Sequence, residues 1–89
     1  MSAPNLLICS GLDPSGGAGL IADVRVAAML DTRPVGIVTS ATIQNTLGTL
    51  ASVPIDPEVI RQQLETLLQD IEVTSVKIGM IGSAQVAQA

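Results

Sequence analysis

The sequence contains no histidine, no aromatic residue and a single cysteine, Cys9. Without histidine there is no imidazole general base, no Ser-His-Asp triad and no imidazole ligand for a metal. One cysteine cannot form an internal disulfide, and no cysteine–histidine set is present that could bind zinc. These absences exclude triad hydrolases, zinc modules and disulfide-stapled domains, and Cys9 is most simply a small core residue.

Positive charge is also scarce. The 4 Lys and Arg residues face 8 Asp and Glu residues, which gives a net charge of -4. A nucleic-acid surface would be basic and would offer aromatic rings for stacking. No apolar run approaches the roughly 20 residues of a membrane span, and residues 6–9 are too short for a signal-peptide core. We therefore expect a cytoplasmic protein that binds neither nucleic acid nor a membrane.

The order of apolar segments predicts the fold class. Residues 5–10 and 35–43 are typical of buried strands, and residues 73–80 of a third strand. Residues 50–54 are typical of a short edge strand because Pro54 fits poorly in a central one. Helical periodicity covers residues 18–31 and 57–71, and a further helix begins at residue 83. Strands that alternate with helices predict an α/β fold with a mainly parallel sheet and flanking helices.

The two complete helices have different sequence signals. In the second, Asp56 is a plausible N-cap and Pro57 occupies the favoured first position. The first has no such cap, and it is predicted from a shared apolar face formed by Leu20, Ile21, Val24, Ala27 and Ala28. Between the first strand and this helix lies a turn-rich segment, residues 11–19. Residues 44–49 are predicted to form a polar loop.

The turn-rich segment raises the question of a phosphate-binding loop. Gly11 and Gly16 have P-loop spacing, but Gly17 and Ala18 stand where Lys and Ser or Thr are needed. The degenerate dinucleotide pattern at residues 17–22 lacks the acidic residue expected about 20 positions later. Both phosphate readings are therefore rejected, and a tight turn that lets the helix pack on the sheet explains some of the glycines.

Residues 8–23, ICSGLDPSGGAGLIAD, resemble the N-terminal signature of hydroxymethylpyrimidine/phosphomethylpyrimidine kinases. Residues 39–48, ending in QNTLG, and residues 76–80, VKIGM, agree in order and spacing. Asp31 departs from the family, which usually has glycine there, and this puts the turn shape in doubt. The resemblance implies a three-layer ribokinase-like fold, with residues 1–89 as the N-terminal, substrate-binding part of a kinase domain.

The same resemblance implies a reaction and its cofactors. These kinases use ATP and Mg²⁺ to phosphorylate a hydroxymethylpyrimidine, and then its monophosphate, in thiamine biosynthesis. In the family, the catalytic aspartate and most ATP contacts lie in the later part of the chain, so we expect no catalytic residue here and no activity from these residues alone. The resemblance leaves the oligomeric state of the whole protein undetermined, with a homodimer as one candidate. The alternatives are a pyridoxal kinase-like fragment and a non-catalytic small-molecule-binding module.

Four residues are the candidates for substrate binding. Asp23 falls on an apolar flank of its helix, so its carboxylate needs a polar partner; the resemblance places it at the substrate's hydroxymethyl group. Gln44 follows a strand at the edge where parallel sheets bind ligands, and its amide suits an aminopyrimidine. The alternative for Gln44 is to tie down the following loop. The resemblance also implies that Met80 packs on the ring and that Gly11 lets the backbone approach it. Lys77 is expected to reach solvent.

Overall fold

The structure is a computed structural model that describes residues 4–79. Its elements are β1 (Asn5–Leu12), α1 (Gly19–Met29), β2 (Arg33–Asn45), β3 (Gly48–Pro54), α2 (Pro57–Leu68) and β4 (Ser75–Ile78). The strands form one four-stranded sheet in the order β3-β2-β1-β4. β1 pairs in parallel with β2 and β4, whereas β3 is antiparallel to β2. The predicted α/β class with a mainly parallel sheet is confirmed.

The helices cover opposite faces of this sheet. Leu20 of α1 lies against Gly36 of β2, and Ile60 of α2 packs with the next residue of β2, Ile37. Because successive strand residues point to opposite faces, these contacts place one helix on each side. The result is a three-layer arrangement. Neither helix within residues 4–79 has the length and apolar character needed to cross a membrane.

The α2 face holds an aliphatic core. Leu7, Ile37 and Ile60 are buried there, and the partly buried residues packed on them are Cys9, Val35, Ile55, Leu64, Leu67 and Val73. Full burial of one such side chain contributes about 1.5–3 kcal/mol. Burial also raises the pKa of the Cys9 thiol above its ordinary value, since the thiolate would be desolvated. The predicted core role of Cys9 agrees with its position.

The α1 face is packed differently. Among the described residues its buried apolar side chains are Ile8 and Ala27, and Leu20 of α1 packs against Gly36 of the sheet, which has no side chain. Ala28, predicted on the apolar face of this helix, is exposed. One residue corresponds to about 100° around a helix, so when Ala27 points at the sheet its neighbour points away from it.

Several boundaries differ from prediction. Residues 44–49 are not a loop, because β2 continues to Asn45 and turns tightly into β3. The Asn45 side-chain Oδ1 accepts hydrogen bonds from the N–H groups of Leu47 at 2.8 Å and Gly48 at 3.3 Å, which closes the turn. β4 is shorter than the predicted strand at residues 73–80. Met80 and the helix predicted from residue 83 lie outside the described residues.

The helix ends can be compared with the sequence signals. The Asp56 carboxylate accepts from the N–H of Glu58 at 2.9 Å, so the predicted N-cap of α2 is confirmed. At the end of α1, Asp31 has a φ of +58°. The N–H groups of Asp31 and Thr32 donate to the carbonyls of Ala28 and Ala27, at 3.3 and 3.2 Å. This bond pattern ends a helix with one residue in the left-handed conformation, which glycine adopts most easily.

Candidate functional site

A cavity of about 460 Å³ lies where β1 and β2 end, next to the N-terminus of α1. In parallel sheets this edge is the usual place for a ligand, and the volume lies within the range of small-molecule sites. The residues that line the cavity are Ser10, Gly11, Asp13, Ala18, Gly19, Asp23, Thr42, Gln44, Thr49, Ser52 and Gly79. Three predicted site residues, Gly11, Asp23 and Gln44, therefore meet at one cavity.

The loop between β1 and α1 is organised by Asp13, a buried acidic residue. Its Oδ1 accepts from the N–H of Ser15 at 2.9 Å and from the Ser15 hydroxyl at 2.7 Å. The N–H of Gly16 donates to the Asp13 carbonyl at 3.0 Å and closes a turn. A side chain that bonds its own backbone two residues on stabilises such a turn. These bonds within the loop stabilise its shape.

The Asp13 carboxylate also bears on whether this loop could bind a phosphate group. The hydroxyl and N–H of Ser15 hold the pKa of Asp13 below its ordinary value of 3.8, and the N–H groups of Ala18 and Gly17 lower it further. The Ser15 N–H, one of the loop amides that could face an anion, thus already donates to a protein carboxylate. This geometry supports the sequence-based rejection of a phosphate-binding loop.

Gly19, the first residue of α1, brings the helix against the end of β1. A Cβ on Gly19 would lie 2.2 Å from the Gly11 carbonyl oxygen, and the φ of Gly19 is +65°. Both facts require glycine, since other residues rarely adopt this φ and none would fit in this space. The backbone of Gly11 and Gly19 consequently forms one wall of the cavity without any side chain. β1 also continues through Gly11 to Leu12, beyond its predicted end.

Asp23 reaches the cavity from α1. Its side chain is only 16% exposed, and its Oδ1 accepts a hydrogen bond from Lys77 Nζ at 2.5 Å. The expectation that this carboxylate is partly buried and needs a polar partner is confirmed. Lys77 was expected simply to reach solvent. Its side chain is 55% exposed, but its ammonium group is paired with Asp23 across the sheet edge.

Gln44 lies on β2 rather than in a loop, opposite Thr49 of β3. Asn45 closes the following turn, so the alternative role for Gln44 is taken by its neighbour. In residues 4–79 no hydrogen bond engages the side-chain amide of Gln44. Thr42, two residues earlier, lines the same cavity and donates its hydroxyl to the Leu12 carbonyl at 2.9 Å, which ties the ends of β1 and β2 together.

Gly79 follows β4 at the same edge and lies close to Ser10. A Cβ on Gly79 would lie 2.5 Å from the Ser10 hydroxyl oxygen, and the Gly79 N–H donates to the Cys9 carbonyl at 2.7 Å. This contact brings the end of β4 to the cavity. Met80, the next residue and a predicted ring contact, lies outside the described residues.

The sequence prediction missed several lining residues. Asp13 lies in residues 8–23 and Gly79 in residues 76–80, two of the segments that carry the family resemblance. The sequence analysis assigns neither residue to the site. Thr42 had a usable signal, since alternation along a strand places it near Gln44. The partnership of Lys77 with Asp23 joins residues 54 positions apart, and no local pattern could indicate it.

Metal-binding clusters are absent from the part of the chain that the structure describes. Among residues 4–79, no group of three or more Cys, Asp or Glu side chains comes together.

Comparison with known proteins agrees with this geometry. The phosphomethylpyrimidine kinase family matches residues 13–89. The hydroxymethylpyrimidine/phosphomethylpyrimidine kinase of Salmonella typhimurium is 33% identical over 89 residues, which are 100% of this chain and 34% of that protein. The enzyme of the same description from Mycobacterium bovis is 37% identical over 86 residues, 97% of this chain and 31% of that protein.

Solved structures give the same result. The phosphomethylpyrimidine kinase of Clostridium difficile 630 has a TM-score of 0.87 and 36% identity, over 97% of this chain and 37% of that one. A pyridoxal kinase from Staphylococcus aureus has a TM-score of 0.85 and 30% identity, over 97% of this chain and 32% of that one. The chain thus spans about a third of the length of the curated relatives it matches. It belongs to the phosphomethylpyrimidine kinase family.

Proposed function

We propose that residues 1–89 supply the substrate-binding side of a cytoplasmic, ATP-dependent kinase of thiamine biosynthesis. Its substrates are 4-amino-5-hydroxymethyl-2-methylpyrimidine and then the monophosphate of that alcohol. The observation that carries the proposal is the meeting of the Asp23 carboxylate and the Gln44 amide at one cavity. A carboxylate and an amide together match an alcohol and an aminopyrimidine edge on one small molecule.

Each residue has a distinct role in this proposal. Gln44 donates to a ring nitrogen and accepts from the amino group, using both ends of its amide. Asp23 accepts a hydrogen bond from the hydroxymethyl group and so orients the oxygen that is to be phosphorylated. Gly11 has no side chain and lets the flat ring approach the backbone. Met80, which lies outside the described residues, is assigned to the ring face by the family resemblance alone.

The phosphoryl-transfer groups are assigned elsewhere. About two thirds of the relatives' length has no counterpart in these 89 residues. We place the catalytic aspartate, the ATP contacts and the Mg²⁺ ligands in that remaining part of the family domain. The purified 89-residue chain is then expected to bind the pyrimidine and to transfer no phosphoryl group to it. Phosphorylated pyrimidine formed from ATP by this chain would contradict that assignment.

Calorimetric titration of the 89-residue chain with the pyrimidine alcohol tests the proposal. Gln44→Ala should weaken binding about tenfold or more, because a buried polar edge of the ligand loses its partner. Gln69→Ala, an exposed amide at the end of α2, is the matched control and should bind like the unchanged chain. A folded, monodisperse chain that binds no pyrimidine would overturn the proposal.

Grafting separates an enzyme part from a non-catalytic binding module. These 89 residues would replace the aligned segment of the Salmonella typhimurium enzyme, with which they share 33% identity. Kinase activity of the graft that depends on Gln44 supports the enzyme assignment. A folded graft that binds the pyrimidine but never phosphorylates it supports the binding module.

Pyridoxal is the competing substrate, because a pyridoxal kinase from Staphylococcus aureus in complex with pyridoxal is a structural neighbour with a TM-score of 0.85 and 29% identity. Pyridoxal also has a hydroxymethyl group on a nitrogen heterocycle, but it has no amino group beside a ring nitrogen. The Gln44 amide therefore favours the aminopyrimidine. Competition between the two ligands for the 89-residue chain should show tighter binding of the pyrimidine.

A further inference from the structure

Lys77 lies on β4, beside Ile8 of β1, at the edge of the described sheet. Ile8 and Lys77 are paired neighbours on parallel strands, so their side chains share a face, and Asp23 of α1 lies on that face too. The Lys77 ammonium group donates to Asp23 Oδ1 at 2.5 Å. The pair thus joins α1, the helix beside the cavity, to β4 at the edge of the sheet.

This pair differs from the other ion pairs of the described residues. Arg61 pairs with Glu58 and Glu65, but all three side chains belong to α2 and are at least half exposed. Such surface pairs contribute little, because water and salt screen them. The Asp23 carboxylate is only 16% exposed and its partner comes from another element, so its orientation depends on tertiary structure.

Within the described part of the chain, only one carboxylate oxygen of Asp23 accepts a hydrogen bond. Lys77 bonds Oδ1, and within residues 4–79 no hydrogen bond engages Oδ2. Asp23 also lines the cavity. A carboxylate fixed through one oxygen presents the other in a defined direction, which favours a hydrogen bond from an incoming hydroxyl group.

We propose that Lys77 is a positioning residue that holds Asp23 so that its free oxygen accepts the hydroxyl group of the substrate. This role deepens the proposed function and rests on it, since it requires an alcohol in the cavity. Lys77 acts through Asp23 and needs no contact with the ligand. It therefore controls recognition of the hydroxymethyl group rather than of the ring.

The test compares two ligands that differ in one hydroxyl group. The first is 4-amino-5-hydroxymethyl-2-methylpyrimidine, and the second is 4-amino-2,5-dimethylpyrimidine. Calorimetry measures both with the unchanged 89-residue chain, Lys77→Met and Lys77→Arg. Lys77→Met should weaken the alcohol about tenfold and the dimethyl analogue less than about twofold, as for one charge-assisted hydrogen bond. Lys77→Arg keeps a donor and should restore most of the preference for the alcohol.

The controls separate positioning from folding and from the proposed function itself. Arg61→Met removes a surface ion pair and should change neither affinity. If Lys77→Met is folded and keeps the full preference for the alcohol, or weakens both ligands equally, the positioning role is wrong while the binding site stands. An unchanged chain that binds neither ligand overturns the proposed function, and with it the role of Lys77.

Discussion

The two helices of the described chain are stabilised in contrasting ways. α2 begins at an Asp56 cap followed by Pro57, and its surface carries ion pairs within the helix. α1 has no side-chain cap, no acidic residue in its first turn and no basic residue in its last. It begins instead at Gly19, pressed against the Gly11 carbonyl of β1. The start of α2 is therefore specified by local sequence signals, whereas the start of α1 depends on tertiary contacts with β1.

The contrast matches the position of the cavity. α1 borders the cavity, and α2 packs on the aliphatic core of the opposite face. A wall made of close backbone contacts leaves room for a ligand, which a capped helix start with bulky side chains would fill. Asp23 lies on α1, the helix that depends on tertiary contacts. Its position therefore depends on the structure of the loop between β1 and α1. Substitutions in the two regions should therefore have effects of different kinds.

Gly19→Ala should have the largest effect. The new methyl group meets the Gly11 carbonyl oxygen, and alanine resists a φ of +65°. We expect a loss of at least about 3 kcal/mol in the free energy of unfolding, since a steric clash and backbone strain combine. Urea denaturation followed by circular dichroism measures it.

Gly48→Ala is the matched control. Within the described residues, a Cβ on Gly48 would have no heavy atom within 4 Å apart from those of its chain neighbours. It should stay within about 0.5 kcal/mol of the unchanged chain, as exposed substitutions usually do. Equal losses for the two variants would show that Gly19 is not a special contact and would break the contrast between the helices.

A smaller effect, confined to acid, is expected from Asp13. Its bonds with Ser15 lower its folded pKa below the ordinary 3.8, so the stabilisation is complete above that value. It is lost as the pH falls through the folded pKa, because protonation removes the charged acceptor. The unchanged chain should be more stable than Asp13→Asn at pH 7, and the difference should shrink below about pH 4.

Urea midpoints between pH 2 and pH 7 measure this difference. Glu58 also has a lowered pKa, through Arg61 and Gln62, but it is exposed and lies on α2, on the other face of the sheet from α1. Glu58→Gln therefore serves as the control, with a weaker acid dependence. An Asp13→Asn chain whose deficit stays constant down to pH 2 would mean that the charge of Asp13 does not hold the loop.

Removing the cap of α2 should cost less. Asp56→Ala leaves the Glu58 N–H without its acceptor, and N-cap substitutions of this kind cost about 1 kcal/mol. Asp70→Ala, an exposed acidic residue beyond the other end of α2, should be nearly neutral. Hydrogen exchange should locate the loss in the first turn of α2 and leave α1 protected. Equal deprotection of α1 would contradict the independence of the two helices.

The same contrast explains what could be predicted from the sequence. The Asp56–Pro57 start and the apolar period of α2 are local signals, and they gave that helix and its capping bond correctly. β1 was predicted from a short apolar run and β2 from a run of β-branched residues, so the α/β class followed. The tight turn after β2 was missed, because Asn45 closes it with a side-chain bond that composition does not reveal.

The site was predictable only in part. Gly11, Asp23 and Gln44 lie on three different elements, and a family resemblance, together with the rule on strand ends, placed them at one edge. The contact that fixes Asp23 is different in kind. Lys77 lies 54 residues away in sequence and is aligned only by the register of β4 with β1. Pairings of this kind depend on tertiary structure and have no local pattern.

The smallest expected effect is a gain. Asp31 has a φ of +58° at the end of α1, a conformation that glycine adopts most easily. Asp31→Gly relieves the strain of a left-handed residue but increases the freedom of the unfolded chain. We expect a net stabilisation of about 0.5 kcal/mol, measured as a higher urea midpoint. Asp70→Gly, outside any left-handed position, is the control and should not stabilise. A loss for Asp31→Gly would mean that aspartate stabilises this turn by more than its backbone strain costs, so that α1 would have one local signal after all.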